Sequence, residues 1–189
     1  ELIVLELEDR PAKLDIAPGG EVLHEVAPDN VAYDFAMGDA TATDAALAGA
    51  AHVVTHTSHD NRVIVNSMEP RGCYAEPEGE RIHLAVNGQG VWGTKGELAK
   101  WLGWSEDRVR VTNPDVGGGF GMKGMNYPEN LLAAQAALML GRPVRWMGER
   151  TESMLSDNGG RDLIVTTTLG FDADLKLVAF RTDSLSNMG

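Results

Sequence analysis

The chain of 189 residues contains one cysteine, Cys73. That excludes an internal disulfide and any zinc or iron–sulfur cage built from cysteines of these residues alone, and it fits a reducing, cytoplasmic setting. Cations are scarce too, with 16 Lys and Arg against 28 Asp and Glu and a formal net charge of −12. Without a basic cluster, binding of nucleic acid or anionic lipid is disfavoured, because grouped cations are what hold phosphate backbones. No apolar run approaches the roughly 18 residues of a membrane-spanning helix. No basic or cleavable leader precedes the strand-like opening ELIVLELED, so the sequence reads as an excised piece without a targeting segment. What is present is ordinary for a folded domain: 43% apolar and 23% charged residues, enough for one domain with a core or two small ones.

Turn chemistry marks the first stretch. Pro18-Gly19-Gly20 and Pro28-Asp29-Asn30 make residues 1–30 read as an extended connection, with space for a short strand over residues 22–26. From Val31 to the end, residues 31–189, the pattern becomes that of a domain. TATDAALAGAA predicts a short helix with Thr43 as its cap. HVVTHTS and RVIVNS, separated by Asp60-Asn61, form a hairpin candidate, and RIHLAV alternates as a further strand. Thr94 and Glu97 match a capping box at the start of GELAKWLG, with Gly103 as the stop. RVRVT is then a strand, Pro128 suits the first turn of a helix, and ENLLAAQAALML is apolar on nearly every face, which predicts burial on more than one side. RPVRWM returns as a strand, and LIVTTTLGF with LKLVAFRTDSL reads as a long hairpin. Strands outnumber helices and the types mix, so the predicted class is α+β, a mixed sheet with packed helices.

VTNPDVGGGFGMKG, residues 111–124, places five glycines in eight positions after a strand. Glycine removes the Cβ that blocks close approach, so such a loop either turns tightly beneath a helix or receives a ligand against bare backbone. Gly119 to Gly124 fits the dinucleotide pattern G-x-G-x-x-G literally, and Glu149 follows the next strand, where a ribose-binding acid could lie. A fragment of a nicotinamide-dependent dehydrogenase is therefore one reading. Against it, Phe120 stands between the glycines where pyrophosphate needs open backbone, and the chain after Glu149 does not continue as alternating strands and helices. The phosphate-binding pattern of nucleotide hydrolases fails, since Gly124 stands where Ser or Thr must meet magnesium.

The stretch from Asn66 through Lys123, followed by GRPVRWMGERTESMLSDNGGRD, resembles the molybdenum-binding subunit of the xanthine dehydrogenase and aldehyde oxidase family. Within it, the chain is most similar to the branch of the carbon monoxide dehydrogenase large subunit. The elements are Met68-Glu69-Pro70-Arg71, Gln89 after a strand, Asp115-Val116-Gly117-Gly118-Gly119-Phe120-Gly121-x-Lys123, Gly141-Arg142-Pro143-Val144 and Glu149-Arg150, in that order.

This resemblance implies a molybdopterin cofactor carrying molybdenum, in its plain or cytosine dinucleotide form, with copper added in the carbon monoxide branch. It also implies iron–sulfur and FAD partner subunits, the remainder of the molybdenum subunit, and oxidation of carbon monoxide, an aldehyde or an N-heterocycle with oxygen from water. Gly118, Gly119, Phe120 and Gly121 match the family loop that runs against the cofactor's metal end. Gln89 matches the family glutamine that donates to an oxo ligand, a catalytic as well as a cofactor-binding role. The family's later segments, which supply an arginine-rich loop and a glutamate base, have no match in these residues, so the piece alone is expected to be inactive. A non-enzymatic folding or interaction module is the further alternative.

Other residues receive plainer readings. Phe120 either fills space under the loop or faces the pterin and substrate funnel; Lys123 is expected to be exposed. Arg71, Arg142, Arg150 and Arg161 are expected in ion pairs or holding carbonyls, and Cys73 as a small buried apolar group. His52, His56 and His59 lie too far apart along an extended strand to chelate one metal, so no metal ligand is assigned.

Overall fold

The structure, a computed structural model, describes residues 4, 6–9 and 13–187. In chain order these form α1 (Ala40–Gly49), β1 (His52–Asp60), β2 (Gly72–Glu78), β3 (Arg81–Val86), α2 (Trp92–Leu102), β4 (Val109–Thr112), α3 (Pro128–Leu140), β5 (Val144–Met147), α4 (Arg150–Ser156), β6 (Leu163–Phe171) and β7 (Leu177–Ser186). The class is α+β, as the sequence predicts. The contacts divide the chain into two units, residues 1–62 with 161–189, and residues 63–160.

In the first unit, β6 is the central strand of a three-stranded antiparallel sheet ordered β1-β6-β7. Threonines on facing strands tie β1 to β6, Thr55 with Thr168 at 3.1 Å and Thr57 with Thr166 at 2.9 Å. This pairing overturns the expected hairpin of HVVTHTS with RVIVNS: the second run forms no strand, and Val63 makes an isolated bridge to Gly160. The β-branched composition was right for β1, but its partner lies more than a hundred residues away. The α1 cap is Asp39, whose carboxylate accepts from the Ala42 N–H at 2.9 Å, rather than Thr43. Residues 22–26 hold only a bridge between His24 and Ala27 within a turn. The strand-like opening falls partly on residues 1–3 and 5, outside the described residues, and residues 4 and 6–9 carry no regular structure.

The second unit contains the core. Its sheet is ordered β4-β3-β2-β5, with β3 and β4 parallel and the other pairs antiparallel. Alternation along RIHLAV buries Ile82, Leu84 and Val86, which pack with Cys73 and Ala75 of β2, Leu98 and Ala99 of α2, and Val109 of β4. Ala133, Ala134 and Ala137 give α3 a small-residue side that joins the same core. Leu132, Met139 and Leu140 are exposed, so α3 is covered on one side, not several. A sequence apolar all round conceals which side that is. Helix α2 begins at Trp92 with no side-chain cap; Thr94 sits inside it and its hydroxyl donates to Asn126 Oδ1, so the literal capping box does not form.

One cation organises this unit. Arg71, buried immediately before β2, donates from Nε to Asp157 at 2.5 Å and from Nη1 and Nη2 to the two oxygens of Glu129 at 3.0 and 3.3 Å. Its guanidinium lies 3.7 Å from the centroid of the Tyr127 ring. Burial would raise the Glu129 pKa, but hydrogen bonding to Arg71 and its charge outweigh this and hold the carboxyl below its ordinary value.

Replacing Arg71 by Met should therefore cost about 3–5 kcal/mol in urea unfolding, because it strands buried Asp157; adding D157N and E129Q should restore part of that. A carboxyl with a lowered folded pKa stabilises above its unfolded value, near 4.5, and loses that contribution as pH falls through the folded one. Wild-type stability should accordingly drop below about pH 4.5, and the drop should be shallower in R71M.

Candidate functional site

Strand β4 ends at Thr112 and releases the glycine loop, which closes through a short 3-10 turn at Met122–Gly124. Two segments from the same end of the sheet grip it. The first is the strap before β2: the Glu69 N–H donates to the Gly117 carbonyl at 3.1 Å, and Glu69 Oε2 accepts from the Gly117 N–H at 2.8 Å. The second follows β3. The Gln89 N–H donates to the Lys123 carbonyl at 3.2 Å, and Gln89 Oε1 accepts from the Gly121 N–H at 2.8 Å. Both segments are themselves fixed, since Asn87 Nδ2 donates to the Pro70 carbonyl, Asn113 Nδ2 to the Gly88 carbonyl, and Arg150 to Asn66 and the Met68 carbonyl.

The glycines are explained by these approaches. A Cβ at Gly117 would lie 2.5 Å from Glu69 Cβ, and one at Gly119 would lie 2.6–2.7 Å from the Oε1, Cδ and Cγ of Gln89. Gly118 and Gly121 adopt φ of +97° and +92°, and Phe120 between them takes +52°, unusual for a side-chain-bearing residue. Between the two anchored N–H groups, those of Gly118, Gly119 and Phe120 make no hydrogen bond among the described residues. A run of unpaired N–H groups in such a bend is a receptor for oxygen anions.

Gln89 contributes a fourth donor. Because Oε1 must be the atom that accepts from Gly121, the amide orientation is settled and Nε2 is left with its two hydrogens unused among the described residues. The sequence-predicted residues Gln89, Gly118, Gly119, Phe120 and Gly121 thus meet in one place. One of the two readings of Phe120 falls away, and the expectation for Lys123 is corrected. Phe120 is 76% exposed with its ring against Gly118, so it does not fill space beneath the loop. Lys123 is buried, its side chain 1% exposed, with Nζ 3.0 Å from Glu69 Oε2.

Glu69, quoted in the sequence only as part of a motif, is the residue that reading missed. Burial would raise its pKa, yet the Gly117 N–H, Lys123 and Asn87 together hold it below the ordinary carboxylate value. The pairing of an acid in Met-Glu-Pro with a lysine two residues beyond Phe-Gly was the available signal.

Elsewhere, Cys73 is buried and its thiol is pushed up to about 11 by burial and then by the Glu129 charge, so it is unreactive. His52, His56 and His59 are exposed along β1, with His59 on the opposite face from the other two. Glu76, Glu78 and His83 lie close together, but Tyr74 and Arg110 already take up the two carboxylates. The G-x-G-x-x-G reading meets a different topology: β5 joins the far edge of the sheet against β2, with two strands between it and β4, and α3 starts four residues beyond Gly124. A dinucleotide unit needs the helix to open directly from the loop and to lead into a neighbouring parallel strand.

Among known proteins, the family described as molybdopterin cofactor-binding domain matches residues 23–189. The nicotine 6-hydroxylase large subunit of Paenarthrobacter nicotinovorans is 35% identical over all of this chain and 24% of its own length. The carbon monoxide dehydrogenase large chain of Hydrogenophaga pseudoflava is 30% identical over 96% of this chain and 22% of its own. A solved Cu,Mo-CO dehydrogenase in its carbon monoxide reduced state superposes with a TM-score of 0.80 at 27% identity, covering 95% of this chain and 25% of that one. The chain thus spans about a quarter of the length of the curated relatives it matches.

A Gly119→Ala substitution should push Gln89 off the loop. The expected readings are a loss of about 1–3 kcal/mol in urea unfolding and faster hydrogen exchange at the Gly121 amide.

Proposed function

From the premise that the chain belongs to the molybdopterin cofactor-binding domain family, we propose that residues 117–121 and Gln89 seat the metal end of that cofactor in a molybdenum hydroxylase. The whole protein oxidises carbon monoxide, an aldehyde or an N-heterocycle. The observation that carries this reading is the row of three unpaired backbone N–H groups beside the free Nε2 of Gln89. The fit is chemical as well as geometric: neutral donors in a chain of net charge −12 can hold anionic oxygens without placing a titratable group beside a metal.

When bound, the cofactor supplies Lewis acidity and two-electron redox chemistry for hydroxylation with oxygen from water. The chain's own residues bind and orient. Gly118, Gly119 and Phe120 would donate to cofactor oxygens from the main chain, Gln89 Nε2 would donate from the side, and the exposed Phe120 ring would offer an apolar surface to the bound group. Glu69 is committed to Lys123 and Gly117, so it is not offered as the base that hydroxylation requires.

Residues 31–189 form part of the cofactor-binding domain, within the family match over residues 23–189. Iron–sulfur and FAD subunits carry the electrons away; a relative named as a large subunit supports assembly with other chains. The cofactor is molybdopterin with molybdenum, in its plain or cytosine dinucleotide form, with copper beside molybdenum if the substrate is carbon monoxide. The complex is placed in the cytoplasm, a reducing setting that a single cysteine fits.

Substitution of Gln89 tests the assignment. In the full-length protein, Q89E keeps an acceptor for the Gly121 N–H but replaces the donor with a carboxylate, so molybdenum and pterin content should fall at least about tenfold with little change in melting temperature. Wild-type metal and pterin content in Q89E would overturn the reading. Copper analysis of the wild-type protein then separates carbon monoxide oxidation from the other substrates.

A further inference from the structure

We propose that Glu69 is a positioning residue for the glycine loop, acting through Lys123 as a strap that fixes the distance between the loop's two ends. What the strap is for rests on the cofactor reading above; that it exists rests on geometry alone.

A single carboxylate oxygen, Glu69 Oε2, receives both the Gly117 N–H at 2.8 Å and Lys123 Nζ at 3.0 Å. Gly117 opens the loop and Lys123 follows its last positive-φ glycine, Gly121. The Glu69 backbone holds the Gly117 carbonyl as well, so the entry residue is gripped twice, and the exit is gripped by Gln89 through the Lys123 carbonyl and the Gly121 N–H. Without Glu69 the two grips would be independent. With it, they are closed into one ring running Gly117, Glu69, Lys123, Gln89 and Gly121, and the three unpaired N–H groups lie on the part of the loop that this ring spans.

Burial makes the strap specific. The Lys123 side chain is 1% exposed and could not remain charged there without a partner. Its charge is used by Glu69, so it is unavailable for direct pairing with an anionic ligand. The base of the strap is rigid, since Arg150 donates to the Met68 carbonyl and Asn87 to the Pro70 carbonyl on either side of Glu69. A loop anchored in this way presents its N–H groups at a fixed spacing before any ligand arrives, which avoids the ordering cost of binding.

The test compares E69Q, K123M and the double variant in full-length protein isolated without cofactor, by hydrogen exchange of peptides covering residues 115–124. Each single variant should exchange at least about tenfold faster at the hydrogen-bonded amides of Gly117 and Gly121, with β2 and β3 unchanged, and the double variant should be no faster than the singles because the two side chains form one contact. Unchanged loop exchange, additive effects in the double variant, or acceleration spread over the whole unit would each overturn the proposal. If burying an unpaired Lys123 prevents E69Q from folding, G117A serves in its place: its Cβ would displace Glu69 without altering any charge, and it should accelerate the same amides. Pterin content of the same variants, loaded, separates the two ideas. Loop-selective acceleration with undiminished pterin would keep the strap and remove the cofactor reading.

Discussion

A guanidinium does not give up its proton inside a protein, so wherever Arg71 is buried its donors must be met by acceptors. Meeting them draws the second unit together: Glu129 at the start of α3, Asp157 after α4 and the Tyr127 ring all converge on one side chain. Tyr127 passes the constraint to the loop, donating from its hydroxyl to the Met122 carbonyl while accepting from the Asn158 N–H. The residue just before β2 therefore fixes the floor beneath residues 122–124, and its neighbour Glu69 fixes the loop's entry. Both belong to Met68-Glu69-Pro70-Arg71, two positions apart, which explains physically why that short motif accompanies the glycines.

The loop itself achieves an electrostatic result that the sequence composition would not suggest. In a chain with twelve more formal negative charges than positive ones, the surface offered by residues 118–120 carries only partial positive charge from N–H groups. The two full charges tied to the loop by hydrogen bonds and ion pairing, Glu69 and Lys123, meet each other at 3.0 Å. An anionic group with several oxygens meets donors there without the penalty of competing counter-charges. The same logic favours a glutamine at position 89, whose acceptor is occupied by Gly121 and whose donors remain available.

Much of this was legible in the residues. Alternation in RIHLAV and the long C-terminal runs gave β3, β6 and β7 because a half-buried strand imposes its period on the sequence. The density of glycines pointed to close approach, and Gln89 was found from the family resemblance, which its spacing before the glycine loop supported. What escaped is what sequence does not encode locally. β1 has the composition of a hairpin arm and a turn after it, yet it pairs with β6 far along the chain. Thr94-x-x-Glu97 is a literal capping box inside a helix that starts at Trp92. Lys123 belongs to a residue type that is normally solvated, and only a carboxylate 54 positions away makes its burial possible.

The most direct measurement is a structure of the full-length protein with its cofactor bound. The expected result is a cofactor oxygen within about 3.2 Å of at least one N–H of Gly118, Gly119 or Phe120, with Gln89 Nε2 donating to the metal's ligand sphere and Phe120 against the ring system. A cofactor seated away from residues 117–121, with those N–H groups turned to water or to the protein's own carbonyls, would contradict the account.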